Sequence, residues 1–162
     1  MKKVLIIALA AIVILLAVGY IAVNYGRGSD EDQIIGVIEN GRQAIQKKSL
    51  SAANSCISKD YSDEYGLNAD RIKFFASQAF RSKSQFEVVV DTPQIQINGD
   101  QAEAKTHVSL TVINTEERHE AFSGDVVIHL KKDKAHRYLI YPVRVWKVTE
   151  MTGLGKILDF VE

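Results

Sequence analysis

The sequence has 162 residues, 20 of them basic and 20 acidic, with four histidines and one cysteine, and its formal charge at neutral pH is zero. A balanced charge gives no reason to expect nucleic acid or an anionic lipid surface as a partner, and a single cysteine excludes an intrachain disulfide, so the fold must stand on packing. Beyond one charge-free stretch and its short flanks, about 135 residues remain, the size of one domain with one core.

That stretch comes first. Val4–Val23 reads VLIIALAAIVILLAVGYIAV, with no charge, amide or proline and no polar group except the Tyr20 hydroxyl. As a helix it spans about 30 Å, the thickness of a bilayer's hydrocarbon core. Thirteen of its twenty residues are Val, Leu or Ile, which gives an insertion free energy on the order of −4 to −8 kcal/mol before the alanines are counted. It is expected to be a transmembrane signal anchor. Lys2 and Lys3 precede it and Asp30, Glu31 and Asp32 follow. Because positive residues stay on the cytoplasmic side, residues 1–3 are expected to be a cytoplasmic stub, and the rest to lie outside an inner or plasma membrane. Tyr20 and Tyr25 fall near the outer headgroup layer. A cleaved signal peptide is the competing reading, since Lys2-Lys3, Val4 to Leu16 and Ala17-Val18-Gly19 supply its three parts. Apolar residues running on through Val23 favour the uncleaved anchor. Cys56 lies too far along to be a lipidation site, and its surroundings (SAANSCIS) suit a buried, inert thiol.

Residues 24–28 (NYGRG) form a short linker. Ser29, with Asp32 three residues on, reads as a helix cap with an acidic partner, and Ile34, Val37, Ile38, Gly41 and Ile45 make an apolar stripe that carries the helix to about Lys47. Ser49 caps a second helix through Ile57. After the turn-rich KDYSDEYGLN, Asn68 opens a third helix to about Ser82, with Ile72, Phe75, Ala76, Ala79 and Phe80 on its apolar face. From Gln85 the hydrophobic period falls from about 3.6 residues to 2. Phe86 to Asp91 is a strand that Pro93 confines to an edge or a bend, Gln94 to Asn98 continues it, and Asn98-Gly99-Asp100 is a turn. Gln101 to Asn114 alternates, with Ala102, Ala104, Thr106, Val108, Leu110 and Val112 on one face. Arg118 to Leu130 places Phe122, Val126, Ile128 and Leu130 on one side. A loop at Lys131–Lys134 and a last strand, His136 to Val148, complete the expected sheet.

Helices followed by long antiparallel strands make an α+β fold, with three helices packed in the concave face of a curved sheet. Three passages carry a resemblance: Lys59-Asp60-Tyr61 after the second helix, Asn98-Gly99-Asp100-Gln101-Ala102 leading into an alternating strand, and Arg137-Tyr138-Leu139-Ile140. With the order of elements, they resemble the nuclear transport factor 2-like, cystatin-like α+β cone superfamily over residues 29–148. Residues 149–162 are left as a tail, in which Leu154, Ile157, Leu158 and Val161 have the spacing of a short amphipathic helix. The superfamily hosts steroid isomerases and small dehydratases beside many non-catalytic binding and assembly domains, so the resemblance leaves function open. It also implies that the outer sheet face is a common place for dimers to form. The topology is similar, loosely, to inner-membrane scaffold subunits of type IV secretion systems.

An isomerase-like site needs a carboxylate base and two donors aimed at an oxyanion in an apolar cavity. Asp60, Asp63 and Glu64 stand near the position such a base would take, with Phe75 in the same pocket, but the inward face of the long strand supplies no acid and the first helix no tyrosine. No catalytic residue is therefore assigned and no cofactor is expected. A small-molecule ligand in the cone is the alternative function. If Lys131–Lys134 is a hairpin loop, His129 and His136 lie cross-strand about 5 Å apart, with Glu103 beside them. That trio is a weak candidate for a metal or a pH-sensitive pair; a solvated, exposed pair is the simpler reading. The last strand is apolar on both faces, with Leu139, Tyr141, Val143 and Val145 on one and Tyr138, Ile140 and Trp146 on the other. Together with Val127 the second set would leave an exposed apolar patch, so a homo-oligomer or a membrane-protein partner is expected there; the alternative is that the tail helix of Leu154, Ile157, Leu158 and Val161 folds back over it. The expected function is a non-catalytic binding or assembly module, held to the membrane by Val4–Val23.

Overall fold

The structure is a computed structural model that describes residues 28–115, 117–137 and 141–154, and of residues 135–137 and 141–142 the backbone alone. The expected anchor, most of the linker, Tyr138, Ile140 and the tail from residue 155 lie outside these. No helix among the described residues is long and apolar enough to cross a membrane.

Capping sets where the helices begin. The Ser29 hydroxyl accepts from the Asp32 amide while the Asp32 carboxylate accepts from the Ser29 amide, a capping box that opens α1 (Asp30–Gln46). Ser49 opens α2 (Leu50–Cys56) and Asn68 opens α3 (Ala69–Arg81), each side chain accepting from the amide three residues on. These are the caps that the sequence predicts. Among the described residues five antiparallel strands follow: β1 (Gln85–Val90), β2 (Gln94–Asn98), β3 (Gln101–Ile113), β4 (Arg118–Arg137) and β5 (Tyr141–Thr152). β3 is the spine. β1 and β2 lie end to end along one edge of it, and β4 then β5 lie along the other. Pro93 sits at the break between β1 and β2, where its missing N–H costs no ladder bond. The buried Thr106 hydroxyl fastens that break by donating to the Asp91 carbonyl at 2.7 Å.

The last hairpin corrects the sequence reading. Lys131–Lys134 is strand, because β4 continues to Arg137 and β5 opens only at Tyr141. The charges there suit a strand because they have partners across the fold: Lys132 pairs with Asp30, and Asp133 accepts from the Ser58 hydroxyl at 2.9 Å. Ala121 on β4 and Thr149 on β5 are each an extra residue in the ladder, left without a cross-strand partner. The free edge of β5 is covered by the chain that follows α2. Ile57 bridges to Val148, and the Ser58 and Ser62 amides donate to the Val148 and Thr149 carbonyls, so this edge offers no open ladder there.

The core lies between α1 and the concave face of the sheet. Ile34, Tyr61 and Ala69 meet Ala102 and Ala104 from β3, Phe122, Val126, Ile128 and Leu130 from β4, and Trp146 and Val148 from β5. The inward set predicted for β4 is observed, and that for β3 from Ala102 to Leu110; Val112, beyond the irregularity at Leu110/Thr111, is not in the core. Trp146 is a correction. Expected on the outer face, it is 2% exposed, because its register opposite Lys132 puts it on the same face as Val148 opposite Leu130.

Candidate functional site

Small and large side chains alternate across the concave face: Ala102 stands opposite Leu130, and Ala104 opposite Ile128. The space left by the alanines takes up rings and branched chains from the other elements, and the polar groups at the margin are paired within the chain. Trp146 Nε1 donates to Asp30 Oδ1 at 3.1 Å, Lys132 Nζ donates to Asp30 Oδ2 at 2.8 Å, and the same ammonium lies 5.0 Å from the centre of the indole. The bond from Lys132 holds the Asp30 carboxyl below the usual carboxylate range, with burial opposing and Trp146 adding to the effect. This trio pins the first turn of α1 to the β4–β5 hairpin. In the sequence Asp30 stands only as one of the acids that follow the apolar stretch. A lone tryptophan, whose N–H needs an acceptor when buried, was the available signal.

The pocket candidates are placed elsewhere. Tyr61 is buried, and its hydroxyl donates to Asp63 Oδ2 at 2.9 Å. Burial first, then the Asp63 carboxylate, push that hydroxyl far above the ordinary tyrosine range. Asp63 Oδ1 accepts from the Tyr65 and Leu67 amides, each at 3.0 Å, so Asp63 organises its loop and is not a free base. Asp60 and Glu64 are exposed, and Phe75 faces outward beside Phe74. None of the four lines the cone's interior as a base or a wall. An open cleft of about 360 Å³ lies instead between α1 and α2, lined by Asn40, Gln43, Ala44, Lys47, Ser49, Ala52 and Ser55.

The outer sheet face carries a polar row. His107 Nδ1 is 2.8 Å from Asp125 Oδ1, His107 Nε2 is 3.2 Å from Ser123 Oγ, and Ser123 is 3.2 Å from Ser109 Oγ. The order carboxylate, imidazole, hydroxyl is that of a nucleophile relay. However, the Asp125 side chain is 93% exposed, so water screens it and competes for its bonds. The row therefore presents donors and acceptors to whatever lies on this face. Further along, His129 is 3.8 Å from Glu103, as the expected strand order requires. His136 is not beside them: His129 is opposite Glu150, and His136 is on the same strand opposite Pro142. Seven residues of strand separate the histidines by about 23 Å, so the trio of His129, His136 and Glu103 is not assembled. Val127 stands on the outer face, half-buried, between Lys105 and Thr152.

No protein-family model matches the chain, and no curated protein does. Solved structures do. The chain is similar to an NTF2-like protein from Cytophaga hutchinsonii, with a TM-score of 0.58 and 15% identity over 76% of this chain and 95% of that one. It is similar to a nuclear transport factor 2-like superfamily protein from Salmonella enterica serovar Typhimurium, with a TM-score of 0.58 and 15% identity over 77% and 94%. A protein of unknown function with a cystatin-like fold from Nostoc punctiforme matches with a TM-score of 0.51 and 16% identity over 75% and 87%. The domain has the nuclear transport factor 2-like fold. At these identities the likeness concerns fold alone, and the residues must speak for function. Among the described residues, the concave face is packed with the chain's own side chains, a polar row lies on the outer sheet face and an open cleft lies between α1 and α2.

Proposed function

We propose that the chain is a single-pass membrane protein whose nuclear transport factor 2-like domain acts outside the cytoplasm as a non-catalytic binding or assembly module. The observation that carries this reading is the filled cone: Trp146, Phe122, Leu130 and Tyr61, each 4% exposed or less, occupy the place where an enzyme of this architecture would need an open cavity. The charge-free stretch Val4–Val23 and its basic leading flank support the anchor and its orientation. The outer face, with Val127, the exposed Val89 and the His107 row, offers the mixed apolar and polar surface of a reversible interface.

Native mass spectrometry of the full-length chain released from detergent micelles tests the reading. A ligand-free dimer or higher oligomer is expected. A monomer that retains a stoichiometric small molecule would overturn assembly in favour of a small-molecule binder, and the α1–α2 cleft would then be the place to look.

A further inference from the structure

α3 carries a surface that the core and the outer sheet face do not use. Its exposed residues Arg71, Phe74, Phe75, Gln78 and Arg81 recur at steps of three and four, so they form one stripe of the helix. Phe74 is 59% exposed and Phe75 is 36% exposed, and their rings meet edge to face at 5.7 Å. The helix is held without them. Ala69 is buried, Ile72 packs against the core, Phe80 leans on Phe86, and Lys48 Nζ donates to the Ser82 carbonyl at 2.7 Å. Basic side chains gather here as well: Arg71, Lys73, Arg81 and Lys83 face Asp70 as the sole acid in residues 69–83, although the chain as a whole is neutral. The apolar stretch ends at Val23 and α1 is capped by Ser29, so the connection between them reaches at most about 22 Å.

We propose that this stripe docks the domain on the anionic bilayer that anchors it, with the Phe74 and Phe75 rings in the headgroup layer and Arg71 and Arg81 against lipid phosphates. The inference rests on the anchored reading above. A helix that presents Phe beside basic residues buries its rings at the headgroup boundary, and basic groups are drawn to anionic lipid within a Debye length of its surface. Two rings and two arginines would hold a free domain weakly. A tether this short places them at an effective concentration on the order of millimolar, where weak contacts are populated. Docking would also orient the domain, laying its helical side on the membrane.

The test is a full-length chain with Phe74→Trp, reconstituted into phosphatidylglycerol vesicles whose acyl chains carry bromine, and into zwitterionic vesicles brominated in the same way. Trp146, 2% exposed inside the core, makes the parental chain the reference for emission that bromine does not reach. Docking requires quenching of the F74W emission in anionic vesicles, with loss of that quenching in zwitterionic ones and when R71E and R81E are added. Unquenched emission from a chain that resists alkaline carbonate extraction overturns the docking and leaves the anchor standing. If that emission is also blue-shifted, the rings are covered by protein, a second copy or residues 155–162. Release of the chain by carbonate overturns the anchored reading, and the docking falls with it.

Discussion

Asp30 serves two structures at once. It stands in the first turn of α1, where a carboxylate suits the helix dipole, and it receives bonds from Lys132 and Trp146. Its folded pKa is held below the ordinary value, so the ionised form contributes stability at neutral pH. That contribution is present above the unfolded value, about 3.9, and is lost as the pH falls through the lower folded value. Asp30→Asn should therefore lower stability at neutral pH by about 1 kcal/mol, a figure discounted for the group's partial exposure. The difference from the parent should vanish in strong acid; thermal melts across that range check it. Tyr61 titrates in the other direction. Its folded pKa is raised, so the neutral hydroxyl contributes stability below the unfolded value of about 10 and loses it progressively above that pH. Tyr61→Phe should remove part of the alkaline destabilisation and cost about 1 kcal/mol at neutral pH through the missing bond to Asp63. Melts at neutral and alkaline pH would show both, and an unchanged alkaline limb would sink the assignment. Asp63 also shows a limit of sequence reading. Its residue type suits a base or a turn equally, and only the positions of the Tyr65 and Leu67 amides decide for the turn.

Elements were legible where a local rule acts alone. Ser29, Ser49 and Asn68 are caps whatever the tertiary context, and β3 alternates because one of its faces is buried. The β4–β5 hairpin was misplaced because KKDK has the composition of a loop, while the partners that keep it in strand, Asp30 and Ser58, are distant in sequence. Trp146 was assigned to the wrong face for a related reason. A face inferred by alternation along one strand holds only if the register is known, and a loop at Lys131–Lys134 would pair β5 with β4 an odd number of residues away from the observed Lys132–Trp146 register, which exchanges the two faces of β5. The end of β5 supplies a sharper test. Gly153 has φ near +90°, and a Cβ there would press into the Asp125 carbonyl oxygen of β4. Gly153→Ala should therefore destabilise by more than about 1 kcal/mol, whereas Gly99→Ala, in a turn with open space around it, should cost only the strain of its positive φ, about 1 kcal/mol or less. Equal melting temperatures for the two variants would show that the β4–β5 contact at Gly153 is not as described.

For the whole molecule, the order of helices and strands was enough to name the architecture, because three caps, one long alternating strand and a turn at Asn98–Asp100 leave few ways to arrange the chain. Whether the cone is open or filled was not legible, since that depends on which way one tryptophan faces. The distinction decides between binding inside the cone and binding on its surface, and it can be tested by emptying the cone. Trp146→Ala removes an indole that is 2% exposed and packed in the main cluster. The surrounding β4 and β5 side chains are fixed by their ladders and can collapse only in part, so the loss should be about 3–5 kcal/mol. Free indole should then bind the space and raise the melting temperature in proportion to its concentration, while leaving the parent unaffected. Calorimetry with and without indole reads both effects. A parent that is itself stabilised by indole would mean that the cone already holds an accessible cavity, and the surface reading of this domain would give way to a ligand-binding one.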